Sequence, residues 1–147
     1  GEITVEYYWK NFSTNSKKEI KTDFFNAFYN PTINKELLLM LKKIKEKNYR
    51  IVCGTNTIKS HFDEHHRLGN YDVFDFVYSS HLMGVKKPNI EFFKKVMKAE
   101  KVLAQNIFFV DDNQENIEVA KKLGMNSHLF ISNENLINTL NEYFYDV

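Results

Sequence analysis

Two adjacent carboxylates, Asp111 and Asp112, directly follow the apolar run Ile107-Phe108-Phe109-Val110. Neighbouring carboxylates repel unless a cation sits between them. Hard oxygen donors of this kind suit Mg²⁺, which takes a few carboxylates together with phosphate and water. Asn113, Asn116, Ala120 and Gly124 come next. A second apolar run, Ile51-Val52-Cys53, leads into Gly54-Thr55-Asn56-Thr57. Backbone N–H groups at a helix entry, with the Thr55 hydroxyl, would hold a phosphate oxygen. A third run, Phe74–Tyr78, leads through Gly84 to Lys86-Lys87-Pro88. Gly84 lets that loop bend, and Pro88 restricts the chain just past Lys87, aiming its ammonium. Taken singly, each signal has an ordinary reading as a helix cap, a solvated turn or a surface charge. What stands out is their order: hydroxyl, lysine, acidic pair, each directly after its own strand.

The elements that must carry these residues are legible from periodicity. Val5, Tyr8, Trp9 and Phe12 fall at helical spacing behind a capping Thr4, and the polar stretch from Ser13 to Lys18 breaks the pattern. Phe24, Phe25 and Phe28 mark a second helical segment before the turn signal Asn30-Pro31. Leu37, Leu38, Leu41 and Ile44 give a helical face. Beyond it, strands are expected over Arg50–Cys53, Phe74–Tyr78, Ile107–Val110 and Ser127–Ile131. The helices between and after them span Thr57–Leu68, closed by Gly69, then a segment opened by Pro88 with Ile90, Phe93, Val96 and Met97 as its stripe, then Gln114–Leu123 and Asn135–Phe144. Strands alternating with helices through short links predict a parallel sheet with helices on both faces, and ligands in such sheets sit at the carboxyl ends of the strands. The abundant Asn and Lys residues are scattered without pattern.

Composition narrows the function classes. At 147 residues, with 43% hydrophobic and 27% charged, the chain suits one ordinary domain. A net charge of +1 gives no field for nucleic acid or an anionic membrane. No apolar run is long enough to span a bilayer. The single cysteine, Cys53, excludes an internal disulfide, which fits a reducing cytoplasm. The chain opens at Gly1-Glu2-Ile3-Thr4 rather than at methionine, as a trimmed product or a later part of a longer chain would.

Taken together, Ile51–Thr57, Gly84–Pro88 with Phe92, and Ile107–Met125 resemble the second, third and fourth motifs of the haloacid-dehalogenase-like superfamily. The resemblance runs from about Asn34 onward and implies a Rossmann-like α/β/α fold. Residues 1–30 are similar to the end of a helical cap, of the subclass that includes phosphoglycolate and sugar-phosphate phosphatases, and residues 31–147 to the core. The first family motif, an Asp-x-Asp after a strand, does not occur in this sequence; Asp72 and Asp75 are spaced differently. The expectation is therefore a core without its first strand and nucleophile, inactive as it stands. The resemblance implies Mg²⁺-dependent hydrolysis of a small phosphorylated metabolite through an aspartyl-phosphate in the complete protein. Thr55 and the Asn56 backbone would hold phosphoryl oxygens, and Lys87 would neutralise the phosphate. Asp112 would bind Mg²⁺ directly, Asp111 through water, and Asn116 would orient the loop. Dehalogenation needs no metal and leaves the acidic pair unexplained. Without the first strand the sheet should be altered, paired with a second copy, or completed by a separate N-terminal segment.

Two rival readings remain. A signalling receiver domain also uses an acidic pair, a hydroxyl and a lysine, but there the acidic pair comes first. A non-catalytic module that binds a phosphorylated ligand or a protein partner would equally lack Asp-x-Asp. His61, His65 and His66 on one helix include an i, i+4 pair, but no third zinc ligand is in view, so a solvated face is expected, with His61 bordering the site. Trp9 and its tyrosine neighbours read as helix packing or as the lining of a pocket.

Overall fold

The computed structural model describes residues 3–144, so Gly1 and Glu2 at the unusual start lie outside it. Among the described residues the chain divides into two compact units, residues 3–33 with 52–86, and residues 34–51 with 87–144.

In the first unit, α1 (Val5–Ser16) is capped by Thr4, whose side chain accepts from the Tyr7 N–H at 3.1 Å. The helix runs further than its polar residues suggested and closes at Lys17 in the left-handed region. Asp23 caps α2 (Phe24–Ala27) and joins three elements. It accepts from Trp9 Nε1 at 2.9 Å, from the Phe25 N–H at 3.0 Å, and from the Ser60 hydroxyl on α4 (Lys59–Arg67). Burial pushes the Asp23 carboxyl upward, but these donors together outweigh it and hold its pKa below the ordinary value. Trp9 packs among Tyr8, Phe12, Phe24 and Phe25, and it also lines a cavity of about 600 Å³ to which its tyrosine neighbours do not contribute. Strands β1 (Val52–Thr55) and β2 (Phe76–Ser79) pair in parallel across α4, from Val52 opposite Phe76 to Thr55 opposite Ser79. Both lie further along the chain than the apolar runs suggested, so Gly54 and Thr55 belong to the strand rather than to a loop. A short helix, α5 (Ser80–Met83), follows β2 without a break and ends on Gly84 at φ 66°. A side chain would be strained in that conformation.

In the second unit, β3 (Phe108–Asp111) and β4 (Asn126–Leu129) pair in parallel around α7 (Gln114–Lys122). The period of two along β3 sends alternate residues to opposite faces. Phe108 and Val110 pack with α3 (Lys35–Glu46) and α8 (Asn133–Phe144) around the buried Met40, Ile44, Leu136 and Leu140. Phe109 meets Phe93 of α6 (Ile90–Glu100). Helices thus cover both faces of this strand, as an α/β/α layering requires. Helices α3 and α8 run parallel. Asn34 and Asn133 exchange side-chain hydrogen bonds at one end, at 2.7 and 3.2 Å, and Lys47 Nζ reaches the Phe144 carbonyl at the other.

Two expectations need correction. Pro88 does not open α6; Asn89 does, its side chain accepting from the Glu91 N–H at 2.9 Å, because an asparagine oxygen satisfies a free helix N–H and proline has none to offer. The asparagines are not patternless either, since Asn34, Asn89 and Asn113 each cap a helix. Among the described residues the strands form two two-stranded parallel sheets, β1 with β2 and β3 with β4, an altered sheet of the kind expected where the first strand is absent.

Leu136 is 2% exposed at the centre of the α3–α8 cluster. Leu136→Ala should destabilise the chain by about 2–5 kcal/mol through lost transfer energy and a residual cavity. Urea unfolding of the variant beside the parent measures it. A loss below about 1 kcal/mol would place the core elsewhere.

Candidate active site

Asp111 ends β3 with its side chain only 5% exposed. Three donors converge on it. Lys87 Nζ reaches Oδ2 at 2.7 Å, while Oδ1 accepts from Asn116 Nδ2 at 2.8 Å and from the Asn113 N–H at 2.9 Å. Reversing the Asn116 amide would press its oxygen against the carboxylate, so this orientation is the physically sound one. Asn116 is itself 4% exposed, and its Oδ1 has no hydrogen-bond partner among the described residues. The Lys87 ammonium also lies 5.8 Å from the centre of the Phe109 ring.

Each donor is placed by a local rule. Asn113 caps α7, accepting from the Glu115 N–H at 2.9 Å, and this turn points its own N–H back at Asp111. Asn116 lies in the first turn of α7, on the same face as the buried Ile117 and Ala120. Gly84 turns the chain at the end of α5 towards Lys87, and Pro88 follows it. The next carboxylate, Asp112, is exposed. Asp111 therefore has its acceptors committed to Lys87 and two asparagines, while Asp112 faces solvent. A cation reaching this strand end would meet the Asp112 oxygens first. Among the described residues no three His, Cys, Asp or Glu side chains cluster as a closed metal site. The acidic pair fits Mg²⁺, which completes its shell with water and phosphate, better than a metal needing an all-protein cage.

Lys87, Asp111 and Asn116 are thus brought together, with Asp112 beside them in the chain. Thr55 and Asn56 belong to the first unit, at the end of β1. The Thr55 hydroxyl hydrogen-bonds with Tyr71, whose own hydroxyl burial pushes up to about 12, so it stays a neutral phenol. Asn56 is exposed. The following residue is held by Ser80, whose Oγ accepts from the Thr57 N–H at 3.0 Å and donates to the Thr57 carbonyl at 3.1 Å. Tyr71 and Ser80 were not visible as site residues, since only pairing and turns far along the chain bring them to β1. Asn113 carried a signal, a capping residue type directly after a strand. His61 Nε2 hydrogen-bonds with the Phe25 carbonyl at 3.0 Å and its ring stacks on Tyr29. His65 bonds the Tyr29 hydroxyl at 2.7 Å and Asn70 at 2.9 Å. Burial, followed by the nearby His61, lowers its pKa.

Burial pushes the Asp111 carboxyl upward, but the bonds from Lys87, Asn116 and Asn113, with the Lys87 charge, outweigh it and leave its pKa below the ordinary 3.8. A depressed carboxylate contributes stability that is fully present above its unfolded pKa and lost as pH falls through the folded one. Asp111→Asn should therefore destabilise the chain at pH 7, and the gap to the parent should narrow once the pH drops below 3.8. Urea midpoints at pH 7 and near pH 3 check this. An unchanged gap would mean that the Lys87 pair carries no pH-linked stability.

The family described as haloacid dehalogenase-like hydrolase matches residues 2–130. Drimenol cyclase drtB of Aspergillus calidoustus is 32% identical over 75% of this chain and 21% of its own. A glyceraldehyde 3-phosphate phosphatase of Pyrococcus abyssi is 36% identical over 62% of this chain and 39% of its own. The chain thus spans well under half the length of these curated relatives. A HAD family enzyme from Bacteroides thetaiotaomicron, crystallised with magnesium and inorganic phosphate, superimposes with a TM-score of 0.79 at 26% identity, over 90% of this chain and 72% of that one. By motif, α/β fold and family match alike, the chain belongs to the haloacid dehalogenase-like hydrolases.

Proposed function

We propose that this chain supplies the lysine, hydroxyl and metal-binding carboxylates of a Mg²⁺-dependent phosphatase acting on a small phosphorylated metabolite, of sugar-phosphate or phosphoglycolate type. The observation that carries the reading is the Lys87–Asp111–Asn116 cluster beside the exposed Asp112. The Pyrococcus phosphatase and the magnesium–phosphate complex of the Bacteroides enzyme support it. Bound Mg²⁺ would offset charge on the phosphoryl oxygens. Asp112 would be its direct protein ligand and Asp111 would act through water, while Asn116 keeps Asp111 in place. Lys87 neutralises developing charge on the phosphoryl group. Thr55 and the Asn56 N–H hold phosphoryl oxygens. Residues 1–30 form the end of the cap that selects the substrate, and residues 31–147 the catalytic core.

No helix among the described residues is long and apolar enough to cross a membrane, and the single cysteine, Cys53, can form no disulfide within the chain. The proposed setting is the cytoplasm, with neither nucleic acid nor membrane as partner. Turnover through an aspartyl-phosphate needs an Asp-x-Asp pair, which is not among the 147 residues. On this reading the chain alone hydrolyses nothing, and an N-terminal segment or a second copy completes it. That same feature favours a second reading, a non-catalytic module that binds a phosphorylated ligand or a protein partner.

The 147-residue chain should release no phosphate from a generic aryl phosphate above background, and steady turnover would overturn the reading. A longer protein carrying Asp-x-Asp before this sequence should turn over only with Mg²⁺. Activity that survives excess chelator would sink the metal role. No activity at all would favour the binding module. In the active protein Lys87→Ala should cost about 10²–10³-fold in kcat, as loss of a charge that stabilises the transition state does. Lys86, exposed and one position earlier, should be nearly silent. Equal effects would mean the two lysines are misassigned.

A further inference from the structure

The loop after β1 runs through Asn56 and Thr57 to Ile58, which stands at the N-cap of α4 and makes no side-chain cap bond. An isoleucine has no oxygen with which to fix the turn, so the loop must be fixed from outside. Two side chains distant in sequence do this. Ser80 closes both backbone polar groups of Thr57, accepting from its N–H at 3.0 Å and donating to its carbonyl at 3.1 Å. Tyr71, 8% exposed, bonds the Thr55 hydroxyl. Asn56 lies between the two held residues, itself exposed.

The origin of Ser80 is local. It is the first residue of α5, directly after β2, and the parallel ladder sets Ser79 opposite Thr55. The residues following each strand therefore leave the sheet side by side, and Ser80 comes within reach of Thr57 although they are 23 positions apart. A single hydroxyl that both donates to and accepts from one residue ties down the two peptide groups that flank Thr57, which a simple packing contact does not do. With Thr55 held in the ladder opposite Ser79 and the peptides flanking Thr57 held by Ser80, the Asn56 N–H between them loses freedom to turn away from an incoming oxyanion, and preorganised donors of this kind bind more tightly because less order is lost on binding.

We propose that Ser80 is a positioning residue for phosphate, holding the Thr55–Thr57 loop in its binding conformation with Tyr71 as the second clamp; this rests on the proposed phosphate-binding role of Thr55 and Asn56. Ser80 does not itself touch the phosphate.

The test uses the whole chain with inorganic phosphate as the probe, following the Thr55, Asn56 and Thr57 amide signals by NMR. Ser80→Ala should weaken phosphate binding about tenfold and speed Thr57 amide exchange, as loss of one well-placed hydrogen-bonding group does. Ser80→Thr, which keeps the hydroxyl, should restore both. Wild type that responds to phosphate at these amides, with Ser80→Ala responding equally, overturns the positioning role alone. Wild type that shows no phosphate response there overturns the phosphate-binding reading of Thr55 and Asn56, and this inference with it. Ser80→Ala weakened but not rescued by Ser80→Thr assigns the effect to packing and also overturns the role. Should Ser80→Ala fail to fold, the wild-type chain decides: a Thr57 amide exchanging at an unprotected rate means that Ser80 holds nothing.

Discussion

The ion pair between Lys87 and Asp111 is the constraint around which the second unit is arranged. Their side chains are 11% and 5% exposed, so neither charge is left to water. Taking two charges out of water is costly unless the geometry is good and the remaining oxygens are bonded. Each neighbouring feature meets part of that demand. Asn116 and the Asn113 N–H occupy Oδ1, and the Phe109 ring lies near the ammonium. Displacing either charged partner would leave the other buried and uncompensated. The end of β3, the first turn of α7 and the chain at Lys87 are therefore tied to one another by electrostatics, not by packing alone.

The first unit solves a similar problem with a different residue. Asp23 gathers an indole, a backbone N–H and a hydroxyl, and so joins α1, α2 and α4. In the same unit His61 and Tyr29 stack on each other, and His65 bonds the same tyrosine. A carboxylate caps a helix in each unit or stands next to the cap. In both, its negative charge lies where free helix N–H groups offer partial positive charge. The aromatic residues of α1 and α2 then pack around a joint already fixed by hydrogen bonds.

Much of this was legible in the residues. The alternation of apolar runs and amphipathic stretches marked the strands and long helices, and the types at their ends marked Thr55, Lys87, Asp111, Asp112 and Asn116. Strand limits were less legible. Hydrophobicity placed β1 over the apolar Ile51-Val52-Cys53, whereas pairing with β2 carries it through the small Gly54 and the hydroxyl of Thr55. Ladder hydrogen bonds belong to the backbone and leave little trace in side-chain type. The caps hid for another reason. Asparagine is common throughout the chain, and only three-dimensional context separates Asn89, which satisfies a helix N–H, from one that merely faces water. Tyr71 and Ser80 hid because their partners lie far off in sequence, and no local rule reaches across a crossover.

Parallel docking of α3 on α8 carries a consequence for the order of events at the ribosome. The contacts between Asn34, Glu36 and Asn133 join residues 97 to 99 positions apart. Closing a loop of that length adds only modest entropy beyond a shorter one, but both ends must exist before it can close. While the nascent chain grows, the first unit can complete β1, α4 and β2 from contiguous sequence. Helix α3, by contrast, emerges with Met40 and Ile44 uncovered and waits for Leu136 and Leu140 to be made. During that interval it presents an apolar stripe to the cell, of the kind chaperones recognise and aggregates begin from. The lysines and glutamates on the remaining faces of α3 keep that waiting helix soluble.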